Sequence, residues 1–440
     1  MNDGSITHRS GLIQVEDDVV RLARDLIRID TSNPTADERK AAEYVAAELS
    51  SLGLEPTIVE AEPGRASVIA RWAGTDPDAD ALLVHHHLDV VPANPADWTL
   101  PPFAAEVQDG CIWGRGAVDM KGNVAATLAA VRSMYLDGQR PRRDVVLAFS
   151  ADEEAGGHKG VKHLVPAARE MFDGVTEAIG EVGGFSMDLP DGGRLYPVQV
   201  AEKGQAWMQL TATGQAGHGS MKAPDNAVVL LARTVARIGA HNFPVHLVPS
   251  CRGLLEAVAA AHGTVLDPAD PAPVLELLGS FARMIGPTTQ HTANPTMLEA
   301  GYKLNVVPEI AVAYVDGRFL PGLEDDFADR IDALLDVGVR REWVHHDIAV
   351  ETEFVGPLAH TIHASLTAED AGARLVPFCM PGGTDAKTYS LLGIRCFGFM
   401  PLRLPGELDF AAMFHGVDER VPIESLAFSA RVLRRLTYTA

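Results

Sequence analysis

The chain has 440 residues, 47% of them hydrophobic, 22% charged and 6% aromatic, the balance of a soluble globular protein long enough for two or three domains. Its 37 Lys and Arg stand against 59 Asp and Glu, a formal charge of −22 that repels polyphosphates and anionic headgroups, so neither nucleic acid nor a membrane surface is an expected partner. Cys111, Cys251, Cys379 and Cys396 show no CxxC spacing and suit free thiols in a reducing, cytoplasmic compartment. The N-terminus does not read as a signal peptide, and no run of about 18 apolar residues predicts a membrane helix.

Along the chain, apolar residues at helical spacing predict two helices between Val15 and Leu54, parted by the turn-like TSNPTADE. Compact apolar runs follow at 66–72, 81–91, 144–150 and 177–182 and read as buried strands. Helices are expected at 123–136 and 160–172. Strands alternating with helices predict an α/β fold, a mostly parallel sheet covered on both faces, with ligands beyond the carboxyl ends of the strands.

Near residue 200 the texture changes. An alternating strand at 207–214, a helix at 227–238, strand–turn–strand over 303–319, a helix at 325–337 and a strand around 348–354 give the order β-α-β-β-α-β. That order predicts an inserted α+β, ferredoxin-like lid domain. The expected organisation is a catalytic domain over 1–200 and 357–440 and a lid over 201–356. Within the lid, about 240–293 forms an extra helical segment, with helical patterns at 253–262 and 273–285. Strand-like runs at 375–380 and 394–400 and a terminal helix return to the first domain.

Five segments carry the chemistry. HHHLDVVP (85–92) ends a strand, and His87 and Asp89 share one side of it because alternate residues do. GRGAVDMKGN (114–123) sets Asp119 between glycines just before a helix. SADEEAGGHKG (150–160) follows a strand directly, so Glu153 and Glu154 point to different faces. EVGG (181–184) adds Glu181, and MFHGVDERVP (413–422) adds His415. Singly, these fragments equally describe a polar strand end, a helix cap and a charged turn. Together, two histidines and three acids form the nitrogen-and-oxygen set that suits a pair of zinc or similar ions.

The strings HLDVVP, GRGAVDMKG, DEEAGG, EVGG, GHGS, NVVP, DGRFLPG, GGTDA and HGVDE, in that order and over nearly the whole chain, resemble the zinc exopeptidase family of carboxypeptidase G, aminoacylase, acetylornithine deacetylase and succinyl-diaminopimelate desuccinylase. The resemblance implies that His87 and Glu181 hold one ion, Glu154 and His415 the other, and that Asp119 bridges both. It implies Asp89 as the group orienting His87, Glu153 as the base and His218 as a stabiliser of the oxyanion. Asn305 and Arg318 would hold a substrate carboxylate, for which a planar guanidinium is suited. Gly382, Gly383 and Thr384 would offer backbone donors. The resemblance further implies a cis peptide after Asp119.

Two features depart from the family pattern. His85 and His86 make the strand end bulkier than the usual glycine does, and His87 is preferred because only it has the x-Asp partner. The extra segment resembles that of the longer carboxypeptidase-S-like branch. In short members the lid pairs with its twin, which completes each site with its histidine and asparagine. Here the insertion is expected to pack on the small domain and cover that surface, so that His218 and Asn305 act in their own chain or with a differently arranged partner; the competing expectation is that the insertion enlarges the dimer contact. Monomer and homodimer both stay open.

The function expected is hydrolysis of the amide bond in an N-acyl amino acid or short peptide with a free carboxylate, by Glu-assisted attack of a water bridging two divalent ions. Zinc is the first choice of metal, with cobalt and manganese as the others. A biosynthetic deacylase is the alternative enzyme; a catalytically silent metal-binding protein on the same fold is the alternative class.

Overall fold

The computed structural model describes residues 4–34 and 37–440, with side chains described from residue 15 onward. Thr35 and Ala36 of the expected turn, and the first three residues of the segment read for a leader, lie outside the described residues. The chain divides into two compact units, 1–200 with 352–378 and 384–440, and 201–351 with 379–383.

In the first unit, Val145–Ser150, Ala81–His87, Val175–Gly180 and Arg395–Gly398 form the parallel centre of a mixed sheet. Thr57–Glu62 and Arg65–Trp72 extend it antiparallel on one side, and Arg194–Glu202 does so on the other. The central strands are apolar on both faces because both are covered. Ile69, Leu83, Val146 and Ala148 pack on Val161, Leu164, Phe172 and Tyr389. On the opposite face His86 reaches Thr127 of the helix Lys121–Leu136, which in turn packs against Gly4–Ile27 and Ile423–Thr439. No two of the four cysteines are joined in a disulfide. Among the described residues, no helix is long and apolar enough to cross a membrane.

The second unit is a four-stranded antiparallel sheet in the order Thr292–Ala300, Ile310–Phe319, Gly204–Thr213, Val339–Asp347. The helices Ala227–Ala240 and Glu324–Leu334 bury Leu231, Ile238, Phe327 and Ile331 against Ala206, Met208, Leu210, Ala313 and Val315. With the strands taken in chain order, this is the ferredoxin-like arrangement.

Several elements differ from expectation. The helix expected at 160–172 is the short Val161–Ala167 followed by a 3-10 turn, Arg169–Phe172, because Pro166 cannot continue the ladder. The pattern at 273–285 breaks into Ala272–Glu276, a 3-10 turn and Ala282–Ile285, with Gly279 at φ +56 between them. The last lid strand is Val339–Asp347 rather than 348–354, since its charged, half-exposed sequence masks the alternation. Thr57–Glu62, Arg194–Glu202 and Thr292–Ala300 are additional strands.

The insertion leaves the outer half of the edge strand Thr292–Ala300 open. It is tied instead to Lys203 and Glu351. The Lys203 ammonium donates to the carbonyls of Pro287 (2.9 Å) and Gln290 (2.8 Å), and Ser250 donates from N and Oγ to the Glu351 carboxylate. The edge strand keeps Met297 and Leu298 more than half exposed, at 53% and 54%.

Candidate functional site

Three neighbouring parallel strands end together and hand their next residues to one cluster. His87 is the last residue of its strand and is level with Ser150; Glu153 and Glu154 follow Ser150 in a 3-10 turn, and Glu181 follows Gly180. Asp119 arrives from the loop before the helix Lys121–Leu136, and the Asp119–Met120 peptide is cis. His415 comes from a loop near the C-terminus. Asp152, Val182 and His415 all have positive φ, at 65°, 57° and 57°, so backbone strain collects beside these ligand-type groups.

Asp119 stands between the two histidines, with Oδ1 at 3.1 Å from His87 Nε2 and Oδ2 at 3.3 Å from His415 Nε2. Glu181 is 3.4 Å from His87 Nε2, and Glu154 is 3.0 Å from His415 Nε2. Ligand atoms of His87, Asp119 and Glu154 gather within 4.8 Å of one another, as do those of His87, Glu153 and Glu181; because the trios share His87, they are alternative seats for an ion rather than a pair. Carboxylates and imidazoles without thiolates are the donors that zinc, cobalt and manganese accept.

The electrostatics point the same way. Burial, then Glu181, pushes Glu153 well above the ordinary carboxyl range. Burial raises Glu154, with Asp119 adding to it, and burial raises Glu181 to about 7. His415 is raised to about 10 by its hydrogen bonds to Asp119 and Glu154. Burial alone would lower His87, but Glu181, Asp119 and Asp89 outweigh it and raise it well above the usual imidazole value. An acid-rich cluster that repels its own charge this strongly fits cations.

Asp89 anchors the cluster. His87 Nδ1 lies 3.0 Å from the Asp89 carbonyl and 3.5 Å from its Oδ1. The Asp89 carboxylate accepts the backbone N–H of Glu153 (3.1 Å) and Glu154 (3.0 Å) and an N–H of Asn33. Arg65 donates to Asn33 Oδ1 at 2.5 Å and to Asp152 at 2.6 Å, and pairs with Glu38 at 2.7 Å. Ser150 donates to Asp385, whose carboxyl is pushed up to about 8 by burial. Sequence reading passed over Asn33, Arg65, Asp152 and Asp385. Asn33 stands in the turn-like TSNPTADE, and Asp152 and Asp385 stand inside DEEAGG and GGTDA without an assigned role; Arg65 lies in none of these strings.

The extra histidines do not join the cluster. His86 Nε2 bonds Thr127 Oγ1 at 2.8 Å, and His85 packs on Tyr389 at a ring distance of 4.9 Å. Burial drives His85 down to about 3 and His86 well below its usual value, so both stay neutral. Room for His85 comes from Gly180 on the neighbouring strand, where any Cβ would strike the ring.

In the second unit, His218 and Asn305 lie side by side. Gly217–His218 pairs with Val306–Val307, and Gly219 N–H donates to the Asn305 carbonyl at 2.9 Å. Both residues are exposed. Ser220 N–H donates to His218 Nδ1 at 3.2 Å, which assigns the ring proton to Nε2. Arg318 is half-buried and already engaged: its fork bonds Asp316 at 2.6 and 3.0 Å, and its guanidinium stands 5.9 Å from the Trp207 ring centre. Gly382 and Gly383 fall in the second unit and Thr384 in the first. Thr384 Oγ1 accepts the Ala386 N–H at 3.1 Å, at the start of the helix Ala386–Ser390.

Residues 83–439 match the sequence profile of peptidase family M20/M25/M40. Mouse aminoacylase-1 is 32% identical over 393 residues, covering 87% of this chain and 86% of its own. A Dictyostelium discoideum protein described as probable carboxypeptidase S-like 2 is 28% identical over 387 residues, covering 82% of this chain and 71% of its own. Among solved structures, the Sulfolobus solfataricus M20 family metallo-carboxypeptidase Sso-CP2 gives a TM-score of 0.71 at 16% identity, over 96% of this chain and 99% of that one, a likeness of fold.

Proposed function

The chain belongs to peptidase family M20/M25/M40, and from that premise we propose that this hydrolase cleaves the amide bond of N-acyl amino acids or short peptides bearing a free carboxylate, with two divalent ions, zinc first. The observation that carries the reading is the gathering of His87, Asp119, Glu153, Glu154, Glu181 and His415 at one set of strand ends.

His87 and Glu181 are assigned to one ion, Glu154 and His415 to the other, and Asp119 to both. When bound, the ions supply Lewis acidity, acidifying water and polarising the amide carbonyl. Glu153 takes the proton of the attacking water and returns it to the leaving amine; its raised affinity for a proton suits both halves of that task. Asp89 holds His87 and the Glu153–Glu154 turn in place. His218 offers its Nε2–H to the oxyanion, Asn305 and Arg318 receive the substrate carboxylate, and Gly382, Gly383 and Thr384 offer donors to the substrate. We place the enzyme in a reducing, cytoplasmic setting, to which Cys111, Cys251, Cys379 and Cys396 are suited as thiols.

The test is a panel of N-acyl amino acids, dipeptides, acetylornithine and succinyl-diaminopimelate, run with zinc-, cobalt- and manganese-loaded protein and after chelation. Chelator-sensitive hydrolysis of the carboxylate-bearing amides is expected. Turnover confined to the two biosynthetic substrates would replace the reading with the deacylase one, and no turnover with two ions bound would overturn it.

A further inference from the structure

The loops carrying Asp119 and His415 meet at a buried ion pair to which the reading above gives no task. Glu419 is fully buried, a costly place for a carboxylate unless donors surround it. It has them. Its two oxygens accept the backbone N–H of Gly116 (3.0 Å), Val118 (2.7 Å) and Asp119 (3.0 Å), and Arg115 donates to it at 2.8 Å. The Glu419 carbonyl also accepts the Gly114 N–H at 2.9 Å. One side chain therefore threads the whole approach to Asp119, a path so tight at Gly116 (φ +87) that a Cβ would meet Val90 and Lys121.

Arg115 joins this clamp to the second loop. Its other terminal nitrogen reaches the His415 carbonyl at 3.4 Å and the Pro92 carbonyl at 3.5 Å, and its guanidinium lies 5.1 Å from the Trp98 ring centre. The pair thus ties the backbone of Asp119 to that of His415. This tie matters because His415 hangs on a loop, with 54% of its side chain exposed, whereas His87 ends a ladder-bonded strand and Glu181 directly follows one.

We propose that Arg115 and Glu419 are positioning residues that fix the separation of Asp119 and His415 and thereby set the occupancy of the ion position formed by Asp119, Glu154 and His415. The proposal rests on the two-metal reading. A Glu419→Gln side chain keeps one acceptor oxygen but turns an NH2 toward backbone N–H groups. An Arg115→Lys side chain keeps the charge but cannot span Glu419 and the His415 carbonyl together.

Each protein would be dialysed against limiting zinc and assayed for metal by elemental analysis, then titrated with cobalt and followed by visible absorption. Wild type is expected to take two ions. Both variants should bind the second ion about 10–100-fold more weakly and the first, which shares only Asp119 with it, with a clearly smaller loss, with turnover returning as zinc is raised. The proposal is overturned if both variants fill two positions with wild-type affinity, or if the two ions weaken equally. Failure of both variants to fold would make the pair part of the core and overturn it too. A wild type that takes fewer than two ions would instead sink the two-metal reading, and this inference with it.

Discussion

The strand-end cluster of the first unit and the His218–Asn305 corner of the second are built on opposite terms. In the cluster, Asp89 is fully buried and Glu181 nearly so, and Asp89 and Glu419 spend their carboxylates on backbone N–H groups of the turns they hold. In the corner, His218 and Asn305 are exposed and make local contacts, His218 on a two-residue strand and Asn305 in the turn just before another, and Arg318 is occupied by Asp316. The cluster is held by its own buried supports, whereas the corner leaves His218 and Asn305 open and Arg318 engaged by a neighbour. On the proposed reading, preorganised electrostatics would be the task of the cluster, and oxyanion and substrate contacts that of the corner.

The hardest blow to the contrast is struck at Glu153. Glu153→Gln should lower turnover about 10²–10⁴-fold while elemental analysis still finds both ions; near wild-type turnover would remove Glu153 from the role of base. His218→Ala comes next, with an expected loss of about 10²–10³-fold in kcat and little change in KM. A change in KM alone would make the exposed corner a binding element only.

Arg318 supplies a subtler test, because its present partner competes with any substrate. Arg318→Lys should raise KM for carboxylate-bearing substrates about tenfold, through loss of a charge-assisted bidentate contact. Asp316→Asn should lower the same KM, since the fork is then released. Identical effects on substrates lacking the carboxylate would refute the assignment.

The smallest effect is one of pH. In the metal-free protein Glu181 is raised to about 7, Asp385 to about 8 and His415 to about 10. Groups raised in the folded state contribute stability at low pH and lose it as pH climbs through those values, so all three act in one direction. Metal binding opposes the loss, because the ligands must be deprotonated. The rise in Tm on adding zinc should therefore be larger, by a few degrees, at pH 8.5 than at pH 6. An equal or smaller rise would show that the cluster does not sense the metal.

Much of this was legible in the chain because buried parallel strands announce themselves as apolar runs, and polar side chains placed just beyond them converge. HLDVVP, DEEAGG and EVGG end strands that are neighbours in the sheet, so residues far apart in sequence are brought to one place. The supports were not legible. Arg65 looks like an ordinary strand arginine, and its bonds to Glu38, Asn33 and Asp152 exist only after the sheet and the first loop have met. Glu419 stood inside a quoted motif, yet its partners at 115–119 lie three hundred residues away. Thr292–Ala300 escaped because Pro295 and an exposed outer half look unlike a strand, as edge strands do. The bond between Arg318 and Asp316 was hidden because side chains two apart on a strand share a face, but nothing in their spacing says that they will turn toward each other.

The contact between His85 and Gly180 has a consequence for how this sequence can change. A ring at one position requires the absence of a Cβ at the other, so the two sites form a single packing decision spread over neighbouring strands. Gly180→Ala alone has nowhere to put its methyl, and His85→Gly alone leaves a ring-sized void beside Tyr389. Each single step is damaging, while an exchange of bulk between the two is sterically consistent. Mutational paths that exchange the bulk of 85 and 180 must therefore cross a valley or move both residues at once, and libraries that vary one position at a time will report both as constrained when it is their combination that is.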